Sequence, residues 1–349
     1  VKNRKSLMLV PVILALPLAG PSCNVPQNDG GIYKAVDGGK DWKQIVTIEE
    51  SKDTLAKADT DQLVVDPNDP GVVFLVTKTQ GLYVSNQFGE SWKRIISETG
   101  TVYSVEADPA KKGFFYSSIM LNGRAKIIKT ENGGQDWNEI YTEAGKGSNI
   151  TQIKVDPFFE NSLAAVNSEG LLIRSSDSGN TWQATFPFQD PVIDIVFDPE
   201  KENFIWALTE RGVWYSEDGG IGFNLMELPA NGEMGNNFYL LRKEQNSLFL
   251  ATDKGFFQSM DDGKMWRKII TLNNPTDFPV RDFVVFPGSN GKWALGAGMT
   301  LYITEDAGQS WKPIQFEIDR MVNAIAIKND DPNQILVGVA TVSKGAFGF

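Results

Sequence analysis

Apolar residues run along this chain in short bursts, and the bursts recur in groups of four. The first of each group runs into a turn that is often Asp-Pro, as in Leu63-Val-Val-Asp-Pro67, Val105-Glu-Ala-Asp-Pro109, Ile153-Lys-Val-Asp-Pro157 and Ile195-Val-Phe-Asp-Pro199. Later copies drift, to Phe283-Val-Val-Phe-Pro287 and Ile325-Ala-Ile-Lys328. A second burst follows at 72–76, 114–118, 163–166, 204–208, 248–251, 292–295 and 335–339. A third, often led by Gly, stands at 81–83, 127–128, 170–173, 212–214, 255–257 and 301–303, and a fourth leaves the turn that ends it. Alternation and β-branched or aromatic content predict a strand, here named A, B, C and D, for each burst; no stretch carries a convincing helical period.

The C–D turn carries the pattern Ser/Thr-x-Asp-x-Gly-x-x-Trp. It is complete at Ser175/Asp177/Gly179/Trp182, Ser259/Asp261/Gly263/Trp266 and Thr304/Asp306/Gly308/Trp311. Degraded copies stand at Ala35/Asp37/Gly39/Trp42, Ser85/Gln87/Gly89/Trp92, Thr130/Asn132/Gly134/Trp137 and Ser216/Asp218/Gly220/Phe223. The closing aromatics lie 50, 45, 45, 41, 43 and 45 residues apart. Seven units of that length predict an all-β, seven-bladed β-propeller of four-stranded antiparallel blades. The motif reads as a hairpin staple. Gly takes positive φ, the carboxylate accepts N–H bonds within the turn, the hydroxyl ties the turn to the preceding strand, and the Trp lays its ring into the core. Asp37, Asn132, Asp177, Asp218, Asp261 and Asp306 are therefore read as structural, because a residue required in every blade is not the single acid of an active site.

These repeats resemble Asp-box (BNR) repeats. The longer unit, Ile193-Asp-Ile-Val-Phe-Asp-Pro199 through Gly212-Val-Trp-Tyr-Ser216 to Phe223, is similar to the propellers of the sortilin type and of the photosystem II stability/assembly-factor type. The resemblance covers about residues 31–349. It implies the fold and, for the assembly-factor type, a role in building membrane complexes; Asp boxes also occur in sialidases and in glucan-cleaving hydrolases.

The two ends predict how the ring closes. Residues 31–33 supply strand C, followed by a box and strand D, whereas 322–327 and 335–339 supply A and B without a box. N- and C-terminal strands sharing one blade would leave no open edge. Lys344-Gly-Ala-Phe-Gly-Phe349 reads as a further strand C competing for the same slot. Residues 1–23 read as a signal peptide: Lys2, Arg4 and Lys5, an apolar run over 7–19, then Gly20-Pro-Ser-Cys23. Cys23, the single cysteine, resembles the acylated residue of a bacterial lipoprotein; cleavage near Ala19 and secretion is the alternative. Residues 24–30 read as a tether and 31–349 as the propeller.

The formal net charge is −11, and loss of the three basic residues of the leader makes it −14. That argues against a nucleic-acid partner and for a basic protein, a basic peptide or cations. The chain contains no His, which removes Ser-His-Asp and Cys-His catalysis and leaves no conventional zinc site. No Arg-Ile-Pro stands where a sialidase would need it. A glycosidase needs only two carboxylates at the right separation, and Asp194 and Asp282 could face each other across the channel. Polar residues on the A strands are the channel candidates: Gln62, Ser104, Glu106, Gln152, Lys154, Asp194, Arg242 and Asp282, with Glu106, Asp194, Arg242 and Asp282 as the expected ligand contacts. The long D–A connections, 47–61, 229–237 and 272–279, are expected on the face opposite the boxes, where contact loops would sit. The first could form a short helix.

These features lead to the expectation of a non-enzymatic, extracytoplasmic, monomeric propeller that binds a membrane-associated protein or peptide without a cofactor or metal. It would be anchored by a lipid on Cys23, and the assembly role is implied by resemblance alone. The alternative is a carbohydrate-binding or glycoside-hydrolysing propeller using two carboxylates.

Overall fold

The computed structural model describes residues 28–96, 100–145, 147–229 and 232–341. Among these the chain forms strands and turns only: β1 (Gly31–Ala35), β2 (Lys43–Ile45), β3 (Thr60–Asp66), β4 (Asp69–Thr77), β5 (Gly81–Ser85), β6 (Lys93–Ile96), β7 (Thr101–Ala107), β8 (Phe115–Leu121), β9 (Arg124–Thr130), β10 (Asn138–Thr142), β11 (Ile150–Val155), β12 (Leu163–Asn167), β13 (Leu171–Ser175) and β14 (Gln183–Pro187). There follow β15 (Val192–Phe197), β16 (Ile205–Thr209), β17 (Gly212–Ser216), β18 (Asn224–Leu225), β19 (Phe238–Glu244), β20 (Ser247–Thr252), β21 (Gly255–Ser259), β22 (Arg267–Ile269), β23 (Val280–Val285), β24 (Trp293–Ala297), β25 (Thr300–Thr304), β26 (Lys312–Gln315), β27 (Met321–Ile327) and β28 (Ile335–Ala340). They pair as seven antiparallel sheets of four. Blades I to VI are consecutive quartets from β3 to β26, and blade VII has the order β27-β28-β1-β2 from the channel outward. The innermost strands β3, β7, β11, β15, β19, β23 and β27 each touch the next, and β27 returns to β3. The molecule is a closed seven-bladed β-propeller, with the ends sharing a blade as the sequence predicts.

B strands such as β12 and β16 are buried at every position, because a blade is covered on both faces by its neighbours. The core is accordingly divided among the seams between blades. One seam packs Phe249, Phe256, Phe283 and Trp293 with ring centroids 4.5–5.7 Å apart.

The Asp-box turns have the expected shape with one change of detail. Asp177 Oδ1 accepts the N–H of Thr181 at 2.8 Å, and Asp261 and Asp306 accept the equivalent N–H from Met265 and Ser310 at 2.8 Å. The hydroxyl ties the turn to the preceding strand by accepting the N–H of the box Gly, as Ser175 at the end of β13 does from Gly179 at 2.8 Å. The Trp rings, expected in the core, are half-buried at Trp42, Trp137, Trp182, Trp266 and Trp311; only Trp92 is fully buried. The reason is position. The ring lies at the outer end of a seam, where Trp182 Nε1 donates to Ile140 O of the preceding blade at 3.2 Å.

The connection 47–61 forms no helix. Thr47 bridges Thr54, Ile48 pairs with Trp92, which closes the next box, and Ile48, Leu55 and Ala58 are buried with Trp92 in one cluster. This loop fills the seam between blades VII and I, which accounts for the 50-residue step in the repeat. Residues 28–30, read as tether, already belong to the ring: Gly30 N–H donates to Ala56 O at 2.8 Å, and Asp29 takes part in a clasp described below. Cys23, the leader and Lys344–Phe349 lie outside the described residues. The slot for which the last segment would compete is filled by β1, paired with β28 from Gly31↔Val339 to Ala35↔Ile335.

All seven A strands carry a β-bulge at the same register, with Asp61, Tyr103, Thr151, Ile193, Tyr239, Arg281 and Asn323 as the extra residue. A bulge turns the strand at one defined point. Seven at one level re-aim every A strand together and fix which side chains meet across the channel.

Candidate functional site: the central channel

Counting from the bulge puts the A-strand side chains in layers. The first layer after it holds Gln62, Ser104, Gln152, Asp194, Leu240, Asp282 and Ala324, and two residues further on come Val64, Glu106, Lys154, Val196, Arg242, Val284 and Ala326. Every channel candidate named from the sequence falls in one of these two layers. Strand alternation then turns both layers the same way.

The polar members stitch blade to blade. Gln62 Oε1 accepts the Val105 N–H at 3.0 Å and its Nε2 donates to Val105 O at 3.1 Å. Ser104 Oγ accepts the Ile153 N–H at 3.1 Å, and Gln152 Nε2 donates to Ile193 O at 3.3 Å. The charged members form one continuous arc. Lys154 Nζ stands 3.5 Å from Glu106 and 3.9 Å from Asp194. Arg242 then reaches Asp194 Oδ2 at 2.7 Å on one side and Asp282 Oδ1 at 3.3 Å on the other. Asp282 Oδ2 accepts the Ile325 N–H of blade VII at 2.7 Å. Glu106, Asp194, Arg242 and Asp282 are thus brought together, as expected, yet they face one another more than they face solvent.

The two carboxylates considered as a glycosidase pair are fully engaged. Asp194 accepts from Ile195 N–H and Arg242, and Asp282 from Phe283 N–H, Arg242 and Ile325 N–H. Their oxygens, which a substrate would need, are taken up by these contacts. Burial pushes the Asp282 carboxyl up against the opposing pull of Arg242. At Lys154 burial works downward, but Glu106 and Asp194 outweigh it and hold the ammonium above its ordinary value.

Where the channel opens between the A–B turns there is a vestibule of about 420 Å³, lined by Glu106, Lys154, Arg242 and Glu244 and rimmed by Pro67, Pro109, Pro157 and Pro199. These turns and the Asp boxes share one face, since box N–H groups donate to A–B turn carbonyls, as Ser178 does to Asn161 at 2.8 Å. A cleft of about 930 Å³ between blades IV and V, lined by Phe204, Tyr215, Leu225 and Met226, opens on the same side. The face opposite the boxes, expected to carry the contacts, has the bulge residues at its mouth. There the Arg281 guanidinium lies 5.5 Å over the Tyr239 ring, with burial holding it below its ordinary value. On that face the connection 272–279 exposes Leu272 and Phe278, whereas in 229–237 Met234 is buried; residues 230 and 231 lie outside the described set. Among the described residues no cluster of three or more Cys, Asp or Glu is arranged to hold a metal ion.

Sequence reasoning missed Glu244. Burial pushes its carboxyl up to about 7, and it ends the one A strand of blades I to V that lacks the Asp-Pro turn. That missing dipeptide was the available signal.

No family model matches this sequence, and no curated protein matches it. Solved structures do match in fold. The GH74 xyloglucanase of Xanthomonas campestris superposes with a TM-score of 0.68 at 16% identity, over 81% of this chain and 51% of the enzyme's. YCF48 from Cyanidioschyzon merolae gives a TM-score of 0.63 at 11% identity, over 81% of this chain and 96% of its own. YCF48 bound to D1 peptide gives 0.62 at 17%, over 82% and 93%. At these identities the likeness is one of fold: this chain spans about half the length of the xyloglucanase and matches nearly the whole length of the YCF48 chains.

Proposed function

We propose that this chain is a non-enzymatic propeller that binds a protein or peptide outside the cytoplasm and serves as an assembly or stability factor for membrane complexes, held at the membrane through Cys23. The observation that carries the reading is the state of the channel carboxylates. A hydrolase needs an acid and a base whose oxygens are available to substrate, and Asp194 and Asp282 give theirs to Arg242 and to backbone N–H groups. What remains is a rigid, charged vestibule, suited to recognising a group rather than transforming one. The match to YCF48 over nearly its whole length, one structure of which holds a D1 peptide, supports the same reading.

The test uses the full chain immobilised against detergent-solubilised membranes, in parallel with xyloglucan and a glycan panel. Enrichment of one membrane complex with no release of reducing sugar is the expected result. Glycan cleavage that is lost in Asp194→Asn or Asp282→Asn would replace this reading with the glycoside-hydrolase one.

A further inference from the structure

Five residues beyond its bulge, each of the first four A strands places an aspartate followed by proline, and each aspartate has a fixed task. Asp66, Asp108, Asp156 and Asp198 are buried and accept the N–H two residues on, at 2.8–3.0 Å, which caps their own A–B turns. The fifth strand places Glu244 at this position, but its turn is the two-residue link Gln245-Asn246, with Ser247 already paired back to Glu244. No N–H of this turn donates to the Glu244 carboxylate, unlike the four Asp-Pro turns. Among the described residues Glu244 has neither a hydrogen-bond nor an ion-pair partner, although it is half-buried in the vestibule wall.

The other charges in that wall are matched. Glu106 has Lys154, Arg242 has Asp194 and Asp282, and Lys243 has Asp198 at 3.4 Å. Each basic group of the lining, Lys154, Arg242 and Lys243, is thus neutralised by carboxylates that include Asp194, Asp282 and Asp198 behind the wall, which leaves Glu244 as the lining charge with no contact of opposite sign. A half-buried carboxylate without a partner is costly, and an entering cation removes that cost. The proline rim supplies an apolar, rigid collar suited to the methylene stem of a long basic side chain.

We propose that the vestibule on the box face is a binding site for a protonated amine or guanidinium, with Glu244 as its anchoring carboxylate and Glu106 on the far wall. The inference deepens the protein-binding reading by naming the group a partner would insert, a Lys or Arg side chain; a free polyamine carries the same chemistry. Glu244 faces Arg242 on its own strand and Asp282 on β23, shares the vestibule lining with Lys243 on its own strand, Lys154 on β11 and Glu106 on β7, and is pushed by burial up to about 7. Binding therefore strengthens as pH rises through neutrality.

The test is calorimetry on the full chain at pH 8 and low salt, with 1,5-diaminopentane, acetyl-Gly-Lys-Gly-amide and its norleucine analogue as probes. The lysine peptide or the diamine binds, the norleucine peptide does not, and Glu244→Gln weakens binding about tenfold. Glu106→Gln, which also frees Lys154 to repel the probe, weakens it as well, while Glu169→Gln, the same charge change at an exposed site, leaves it unchanged. Binding of the diamine alone assigns the site to free amines, and binding of the peptide assigns it to a partner's side chain. Equal binding of the norleucine peptide, equal binding by Glu244→Gln, or no binding of either cation overturns the proposal. If parent and Glu244→Gln capture the same membrane protein equally, the protein-binding reading stands and this one falls; if the probes bind but no protein is captured, the reverse holds.

Discussion

Glu244 and the box aspartates show how one functional group takes opposite roles from its surroundings. A box carboxylate is exposed but holds N–H and hydroxyl donors, and Ser310 and Thr304 draw the Asp306 carboxyl down to about 2. Glu244 accepts no hydrogen bond, and burial pushes it up to about 7 from an ordinary 4.5 against the pull of Arg242. A raised carboxyl binds its proton more tightly in the folded state, so its contribution is intact below about 4.5 and is lost as pH rises to about 7. Glu244→Gln should therefore match the parent at pH 4 and exceed it at pH 8 by on the order of 1–3 kcal/mol, read as the difference between their urea midpoints at each pH. A difference that stays constant with pH would show that Glu244 is not buried in this way. The Asp-Pro rhythm was legible in the sequence, and so was its absence at Glu244-Gln245. What the absence meant was not, because a carboxylate's lack of partners depends on the length of the hairpin behind it.

At the scale of the element, the box turn places two consecutive residues in the left-handed region. The second is the box Gly, with φ 79–91° across the seven copies. The first is Gly38, Gly133 or Gly219 in three blades but Phe88, Ser178, Asp262 or Ala307, at φ 47–60°, in the rest. A side chain in that region costs roughly 1 kcal/mol, so Ala307→Gly should raise stability by somewhat under 1 kcal/mol once the unfolded-state entropy of Gly is set against it. The box Gly carries a second constraint. A Cβ at Gly179 would stand 2.5 Å from Ile140 Cδ1 on the preceding blade, and Gly263 and Gly308 meet Met226 and Ile269 in the same way. Gly179→Ala should lose roughly 2–3 kcal/mol in thermal or urea unfolding, more than strain at φ alone would cost. A loss no larger than that of Gly133→Ala, where nothing lies within 4 Å, would mean that the seam adapts. The strands and boxes were legible because alternation and a spaced motif are local signals. The seven bulges were not, since an extra residue in one strand shows only against the register of its partner. Nor was the packed loop after β2, because Ile48, Leu55 and Ala58 stand among Glu49, Glu50, Lys52, Asp53 and Lys57 and the charges dominate the reading.

For the whole molecule the decisive event is closure, and it rests on more than the pairing of β1 with β28. Arg320, 4% exposed, joins three distant segments: its Nε donates to Asp29 Oδ1 at 3.0 Å, and its other nitrogens reach Asp59 and Lys57 O. The Asp319 N–H adds a bond to Asp29 Oδ2 at 2.9 Å, and the Thr341 N–H one to Asp59 Oδ1 at 2.7 Å. The clasp thus ties the strand entering β1, the loop before β3, the residue before β27 and the end of β28 at one corner of the ring. Burial would raise the Asp29 carboxyl, but the Asp319 N–H and Arg320 overcome it and hold it low, so this stabilisation is complete above the ordinary carboxylate range and is lost as pH falls through the lowered value. Arg320→Met leaves two carboxylates without their cation and should cost about 3–5 kcal/mol, whereas Arg320→Met combined with Asp29→Asn and Asp59→Asn should recover a large part of it, since the penalty belongs to the unpaired charge. Hydrogen exchange locates the effect. In Arg320→Met the β1 and β2 amides should exchange well ahead of those in β15 and β16, because blade VII alone is held by strands from both ends of the described chain. If blade VII stays as protected as blade IV, the clasp is a bystander and the ring is closed by the β1–β28 ladder alone.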